Sequence, residues 1–224
     1  MEKIVPDESR KWRFHLTGGA LCLDFANTLS WRRGRTAIER LGGYEDLIAF
    51  ELQSGIIDQA DTRALRNSCS RKPRRAAKVY KEALELRALI DRIFTKIVER
   101  QVGDRSDLAA LNERVAKVTA RMRIVPNRRA YIWQDTGEVL DGMLTPIVRS
   151  AATLLTSVEL AKLHRCAADD CGWLFVDLSR NQRRRWCDML VCGNRAKARR
   201  HYDRARQAPA SHIGIKRNQL YGRS

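Results

Sequence analysis

The amino-acid sequence predicts a mainly α-helical protein of the α+β class, in which a helical N-terminal domain with one small β-hairpin precedes a small four-cysteine module ending in a basic helix. Three observations lead to this fold class. Apolar residues recur at helical spacing over most of residues 74–162, two short runs within residues 122–134 are rich in β-branched and aromatic side chains, and four of the six cysteines lie within residues 166–192. The hydrophobic fraction, 44%, is typical of a globular protein.

Short elements are predicted for the first third of the chain. We expect a short strand from about Phe14, ended by Gly18-Gly19, and then a mostly apolar helix from about Ala20 to Leu29. Gly42-Gly43 predicts a loop, followed by a second short helix that contains Leu47, Ile48 and Phe50. Asp58 or Asp61 is the expected N-cap of a third helix, which continues through Leu65.

Two long helices are predicted in the middle of the chain. The first runs from about Arg74 to Val102, with Pro73 at its start and Gly103 ending it, because apolar residues recur there at steps of three and four. Ser106 is the expected N-cap of the second. The apolar residues of the two helices, which we expect to form an ordinary core, are Val79, Ala83, Leu86, Ile90, Ile93 and Ile97, then Leu108, Leu111, Val115, Val118 and Met122.

A hairpin and a further helix follow. The runs MRIVP and AYIWQ, separated by Asn127-Arg128-Arg129, are typical of two short antiparallel strands. Thr145 as cap and Pro146 in the first turn then predict a helix that continues directly to Cys166.

The charge of the chain favours a polyanionic partner. The net charge is +17, and the pI is near 10.3. Residues 166–224 carry 13 Lys and Arg against 5 Asp and Glu, whereas residues 1–165 carry 30 against 21, so about half of the excess lies in the last quarter. No stretch is long and apolar enough to span a membrane, and residues 1–13 lack the apolar core of a signal peptide. We therefore expect a cytoplasmic protein.

The cysteine spacing predicts a structural zinc site. Cys166, Cys171, Cys187 and Cys192 follow the pattern C-x4-C-x15-C-x4-C, which allows two turns to converge on one tetrahedral ion. A module of roughly 40 residues buries too little apolar surface to fold alone, and a metal would stabilise it. The alternative is four buried structural or redox cysteines, and His164 and His201 are substitute ligands that the four-cysteine set does not need.

A basic segment surrounds the last two cysteines. Gly193-Asn194 predicts a sharp turn, and the run that follows is compatible with a helix suited to the major groove of DNA. Segment 178–206 holds ten basic residues and two acidic ones, and the alternative interpretation is an ordinary solvated face. The predicted DNA-binding residues are Arg183, Arg184, Arg185, Asn194, Arg195, Lys197, Arg199, Arg200 and Arg204.

These motifs resemble the CGNR zinc-finger family of bacterial proteins. The resemblance rests on Arg185-Trp186-Cys187, on Cys192-Gly193-Asn194-Arg195 and on the run 196–201, and residues 21–28 (LCLDFANT) resemble the opening of the ABATE domain that accompanies this finger. The resemblance implies a stress-induced transcription regulator, whose finger binds DNA and whose ABATE domain senses a small molecule or mediates assembly. The domains would be 1–162 (ABATE-like), 163–208 (zinc finger) and 209–224 (basic tail).

A polar cluster in the N-terminal domain is the tentative effector site. Asn27, Thr28 and Trp31 follow Asp24 at helical spacing, and Arg32 is adjacent, so these five side chains are candidates for lining a ligand pocket. An equally good interpretation is that Asp24 and Asn27 satisfy buried backbone groups beside the glycine turn. Weaker candidates for a site are Trp133 and Arg149, and Cys22 is expected to be a buried apolar residue.

We therefore predict a zinc-dependent transcription regulator that binds double-stranded DNA, senses a small-molecule effector and forms a homodimer through its long helices. The alternative is an RNA- or ribosome-associated zinc protein, which is less favoured because the module offers few free aromatic side chains for base stacking. An enzyme is not expected, because four thiolates close the zinc site and no nucleophile–base set is recognisable.

Overall fold

A computed structural model describes residues 3–6, 14–30, 33 and 36–207. The fold is the predicted α+β class, mostly helical with small strand pairs. Trp31, Arg32 and the basic tail 209–224 of the sequence predictions lie outside the described residues. The helices are α1 (Leu21–Ala26), α2 (Tyr44–Gln53), α3 (Gln59–Arg71), α4 (Pro73–Val98), α5 (Arg105–Arg121), α6 (Val139–Gly142), α7 (Thr145–Leu155) and α8 (Asn194–Gln207). The strands are β1 (Lys3–Pro6), β2 (Leu29–Ser30), β3 (Thr36–Glu39), β4 (Met122–Asn127), β5 (Ala130–Asp135), β6 (Leu163–Arg165) and β7 (Leu174–Val176).

The N-terminal part differs from the expected strand and helix. The strand predicted from Phe14 does not form, because the Gln53 side chain satisfies the Phe14 backbone: Phe14 N donates to Oε1 at 2.7 Å and Nε2 donates to Phe14 O at 2.5 Å. The following helix is shorter than predicted and ends at Ala26. Instead, β3 is the centre of an unpredicted three-stranded sheet, pairing in parallel with β1 and antiparallel with β2.

Helices α2 and α3 confirm the two short helices expected after Gly43. Asp58 is the N-cap of α3, and its Oδ1 accepts hydrogen bonds from Ala60 N and Asp61 N. The Asp61 carboxylate in turn accepts from Asp58 N at 3.1 Å, which completes a capping box. Both candidate aspartates therefore act at this helix start.

The two long helices are present, but their ends differ from the prediction. Helix α4 ends at Val98, where Arg100 adopts φ 55 and Gln101 N donates to Lys96 O, so the left-handed residue that stops the helix is not Gly103. The N-cap of α5 is Asp104 rather than Ser106, since the Asp104 carboxylate accepts from Ser106 N at 2.9 Å.

The predicted hairpin is confirmed as β4 and β5, joined by Arg128 and Arg129. Met122 opens β4 instead of closing α5. The N-cap of α7 is Leu144, and the helix ends at Leu155. The prediction that this helix continues to Cys166 is therefore wrong.

The early end of α7 has a local cause. The hydroxyls of Thr156 and Ser157 donate to carbonyls of the last helical turn, Ala152 O and Leu154 O, which also accept the backbone N–H groups of the same two residues. A 3-10 turn, Val158–Lys162, then leads into β6.

The core lies around α1, which packs against both α4 and α7. Phe25 on α1 lies 5.5 Å from the ring of Phe50, which meets Phe14 edge-on at 5.3 Å. Strand β7 extends this core towards the C-terminal module: Leu174 and Val176 belong to the helical core, whereas Phe175, between them, packs against the four clustered cysteines. All three residues are buried, because β7 is covered on both faces.

Candidate metal centre and basic helix

The first cysteine pair lies in a tight turn between β6 and β7. Cys166 N donates to Trp173 O at 2.8 Å, and Cys171 N donates to Ala168 O at 3.2 Å, so the backbone folds both sulfurs to the same side. Gly172 follows with φ 75, a conformation that favours glycine. Backbone hydrogen bonds of the turn between β6 and β7 therefore position Cys166 and Cys171.

The second pair lies in a wide, π-type turn, Met189–Gly193, that Asp188 caps. The Asp188 carboxylate accepts from Leu190 N at 2.7 Å and from Val191 N at 3.2 Å. Its carbonyl accepts from Cys192 N at 2.9 Å, which brings Cys192 back towards Cys187. Sequence reasoning missed this capping role, although aspartate side chains commonly accept hydrogen bonds from the backbone two residues further on.

The four sulfurs form one compact, buried cluster. All four lie within 4.8 Å of one another, and Cys187 Sγ is 3.6 Å from both Cys171 Sγ and Cys192 Sγ. A tetrahedral zinc with thiolate bonds of about 2.3 Å requires sulfur–sulfur separations of about 3.8 Å. The spacing, the burial and the soft sulfur donors therefore fit a single zinc ion, and no further metal-binding group is found among the described residues.

The sulfurs are too close to ionise independently. Hydrogen bonding from Cys171 lowers the pKa of Cys166, whereas the hydrogen bond with Cys166 raises the pKa of Cys171 and of Cys187. Four thiolates this close together would repel one another. A divalent cation removes this conflict by neutralising the negative charge.

Asn27, the residue directly after α1, holds the metal-binding module. Its side-chain Nδ2 donates to Leu174 O at 2.8 Å, and its Oδ1 accepts from Leu174 N at 3.1 Å. The amide thus pairs with β7 as a neighbouring strand would. Asn27 is 2% exposed, so both bonds are buried. On the same side, the Trp173 indole donates to Leu29 O at 3.1 Å.

Asp24 on α1 and Thr28 just after it also have hydrogen-bond partners within the chain. Gly18 N donates to Asp24 Oδ1 at 2.7 Å, and burial raises the pKa of Asp24 to about 6. Thr28 Oγ1 donates to Phe25 O at 2.7 Å and accepts from Arg87 Nη1 at 3.1 Å. The described members of the tentative effector site therefore hold backbone and side chains in place. An effector role for them stays a prediction.

A small cavity lies beside the cysteine cluster, at the contact between the module and the N-terminal part. It lies between His15, Arg40, Trp173 and Asp188, and its volume is about 30 Å³. A cavity of this volume has room for about two water molecules and is too small for an organic effector.

Helix α8 follows the second turn and presents two different faces. On one face, Arg195 Nη2 donates to Asp170 Oδ1 at 2.8 Å, and Arg199 Nη1 donates to Asp169 Oδ2 at 2.9 Å. Both aspartates lie between the first two cysteines, so these pairs fasten α8 to the first turn. Sequence reasoning missed this role, which the opposite charges of the two segments would have indicated.

The opposite face of α8 carries exposed cations. Lys197, Arg200 and Arg204 are three and four residues apart and therefore point the same way, with His201 beside them. No ion pair is found for these three cations in the described part of the chain. The face points into solvent, and the zinc cluster lies at the start of the helix.

The three arginines before Cys187 also differ in their environments. Arg184 donates to Thr17 O at 2.8 Å and to Trp186 O at 2.9 Å, and its guanidinium lies 4.4 Å from the Phe175 ring centre, so it ties the module to the N-terminal part. Arg183 and Arg185 are exposed. Asn194 is exposed at the start of α8. The whole predicted DNA-binding set stays a prediction. Among the described residues, the members that are exposed and form no ion pair are Arg183, Arg185, Asn194, Lys197, Arg200 and Arg204.

Comparison with known protein families agrees with this geometry. The model of the CGNR zinc finger matches residues 162–205, and the ABATE model, described as "Putative stress-induced transcription regulator", matches residues 19–158. No curated protein matches the sequence. No described helix is long and apolar enough to cross a membrane. The protein is a zinc-finger protein with one structural zinc, and the chain belongs to the ABATE family, its ABATE region being followed by a CGNR zinc finger.

Proposed function

We propose that this protein is a transcription regulator that binds double-stranded DNA through α8, with Cys166, Cys171, Cys187 and Cys192 as the ligands of its structural zinc. The observation that carries the proposal is the separation of charges around α8. Arg195 and Arg199 pair with aspartates of the first turn, whereas Lys197, Arg200 and Arg204 face solvent together.

The exposed face of α8 suits a DNA groove. Lys197 and Arg204 lie seven residues apart, which is about 10 Å along a helix, so three cations follow one edge over several phosphates. An α-helix fits the major groove of B-DNA, and arginine there contacts phosphates or guanine edges. Arg183 and Arg185, exposed before the third cysteine, are further candidates for phosphate contacts.

Zinc is expected to control binding because α8 has few other attachments. Cys192 ends the turn that leads directly into α8, and Arg195 Nη2 lies 3.8 Å from its sulfur. The ion pairs of Arg195 and Arg199 also depend on the turn that Cys166 and Cys171 form. Without zinc the two turns would separate, and the exposed face would lose its fixed orientation.

The direct test is fluorescence anisotropy of zinc-loaded, full-length protein with duplex DNA from its own upstream region, over a series of salt concentrations. The variant Lys197→Ala/Arg200→Ala/Arg204→Ala is expected to bind at least tenfold more weakly, and its salt slope should fall by about 0.9 for each phosphate that the protein no longer neutralises. Arg63→Ala/Arg74→Ala/Lys81→Ala is the matched control, since it removes three exposed cations from α3 and α4.

The outcomes separate the candidate functions. Loss of binding in the α8 variant and in Cys192→Ser, but not in the control, supports a zinc-dependent DNA reader. Equal losses in the α8 variant and the control would contradict the role of α8. Competition by RNA at lower concentration than by duplex DNA would favour the alternative of an RNA-associated zinc protein. Effector sensing and homodimer formation are further proposals from the family resemblance, and each needs a separate binding or sedimentation measurement.

A further inference from the structure

We infer that the β4–β5 hairpin is a second DNA-binding element, a β-ribbon arm that enters a groove of the duplex and places the arginines of its tip on phosphates. This inference rests on the proposed DNA-binding function, but it concerns a different part of the chain. The hairpin belongs to the ABATE region, and none of its residues is near the zinc ligands in sequence.

The hairpin projects from the helical core. Its paired strands are exposed or half-buried throughout, and none of its residues belongs to the buried core. A two-stranded hairpin is at best marginally stable in water without a covering layer. The six-residue strands extend about 20 Å from their base, so the ribbon is long enough to follow about six base pairs.

One face of the ribbon is apolar and aromatic. Ile124 is 62% exposed, its cross-strand partner Trp133 is 55% exposed, and Tyr131 is 76% exposed. Tyr131 and Trp133 lie two residues apart on β5 and therefore on the same face as Ile124. At its base, the Arg149 guanidinium lies 5.8 Å from the Trp133 ring centre, which leaves the rest of the face uncovered.

The charges of the ribbon favour a polyanion over a second copy of the chain. Arg123, Arg128 and Arg129 are exposed and have no acidic partner among the described residues, and the one acidic residue of the hairpin, Asp135, pairs with Arg121 at 3.0 Å. A second copy of the hairpin carries the same positive charges, which would oppose its binding to this one. Duplex DNA neutralises them, and its major groove admits a two-stranded ribbon whose apolar face meets thymine methyl groups.

The hairpin turn places an arginine in a backbone conformation that favours other residues. Arg128 adopts φ 52, a left-handed conformation in which glycine and asparagine are the favoured residues. An arginine there is less favourable for the backbone than either of them. Such a strained position is a reason to look for a function of its side chain. Phosphate contact at the tip supplies that function.

The test uses zinc-loaded, full-length protein and a labelled duplex of mixed sequence, about 30 base pairs long, in an anisotropy titration over a salt series. The variant Arg128→Asn/Arg129→Ser removes both tip charges, and Asn suits the left-handed position, so the hairpin stays folded. We expect ten- to one-hundred-fold weaker binding at low salt and a salt slope lower by about two. Arg63→Ala/Arg74→Ala is the matched control and should bind within twofold of wild type.

Two further variants separate the contribution of charge from that of apolar contacts. Arg128→Lys/Arg129→Lys keeps the charges and should restore the salt slope. Tyr131→Ser/Trp133→Ser should weaken binding with the slope unchanged, because it removes apolar contacts only. Far-UV circular dichroism and zinc content equal to wild type are required of every variant compared.

The failures of this inference and of the proposed function can be distinguished. If the tip variant binds like its control while the α8 variant loses binding, the ribbon assignment is overturned and the proposed function stands. Wild-type protein that does not bind duplex DNA overturns both. A loss confined to single-stranded oligonucleotides would make the aromatic face a base-stacking surface instead. A wild-type dimer that Tyr131→Ser/Trp133→Ser separates into monomers would assign the face to a second copy.

Discussion

The replacement Asn27→Ala tests whether the polar cluster of α1 is structural. In the folded protein the Asn27 amide satisfies both backbone groups of Leu174, at 2.8 Å and 3.1 Å. Alanine leaves the Leu174 N–H and C=O buried without these partners, and each such group destabilises a protein by about 1–3 kcal/mol. Allowing for partial relaxation, we expect the free energy of unfolding to fall by about 2–4 kcal/mol, which lowers the Tm by roughly 5–15 °C for a chain of this size.

The assay is urea and thermal unfolding of zinc-saturated protein, followed by circular dichroism. Asn112→Ala is the matched control, because Asn112 is exposed on α5, and its free energy of unfolding should stay within about 0.5 kcal/mol of wild type. If Asn27→Ala were as stable as this control, the pairing with β7 would have no energetic role. The interpretation of Asn27 as a ligand-binding residue would then be favoured.

Three further predictions concern burial, metal and turn geometry. Glu51 is 1% exposed, and its Oε1 has no hydrogen-bond partner among the described residues. Burial raises the pKa of Glu51 well above 4.5. The free energy of unfolding of the wild type should therefore decrease as the pH rises from about 4.5 towards that higher pKa, because the folded state then binds more protons than the unfolded state. Urea unfolding should therefore show Glu51→Gln increasingly more stable than wild type between pH 6 and pH 8; the same gain in Glu113→Gln, an exposed position, would contradict this reasoning. Chelation of zinc should speed tryptic cleavage at residues 183–185 while most far-UV helicity persists, and zinc-saturated chelator is the control. Asp188→Ala removes the acceptor of two N–H groups and should release zinc faster to a competing chelator, whereas a rate equal to that of Asp203→Ala would refute the capping role.

Periodicity predicted the long elements of this fold because their apolar faces are regular. Helix α4 and the β4–β5 hairpin were expected almost where they lie, and the cysteine spacing predicted one compact cluster. Helix ends were predicted less well. Arg100 ends α4 in a left-handed conformation, which could not be predicted from the sequence because arginine seldom adopts it.

Long-range partners could not be predicted from local pattern. Asn27 and Leu174 are 147 residues apart, and nothing near either residue indicates the other. The same holds for Arg184, which donates a hydrogen bond to Thr17 O, 167 residues away. Arg184 was predicted to bind DNA, but in the structure it links the module to the N-terminal part. A run of arginines identifies a basic segment, whereas only the tertiary contacts separate the side chains that face solvent from those that hold the fold.

The zinc cluster and the helical core stabilise the same short strand. Leu174 and Val176 pack into the helical core, and Phe175 packs against the cysteines, so β7 is in contact with both parts of the protein. A structural zinc contributes its binding free energy to folding, and here that contribution reaches the helical core through β7. Conversely, the Asn27 pairing that fixes β7 also fixes the turn carrying Cys171. Zinc affinity and the stability of the N-terminal core are therefore linked, and a substitution of Asn27 should change both.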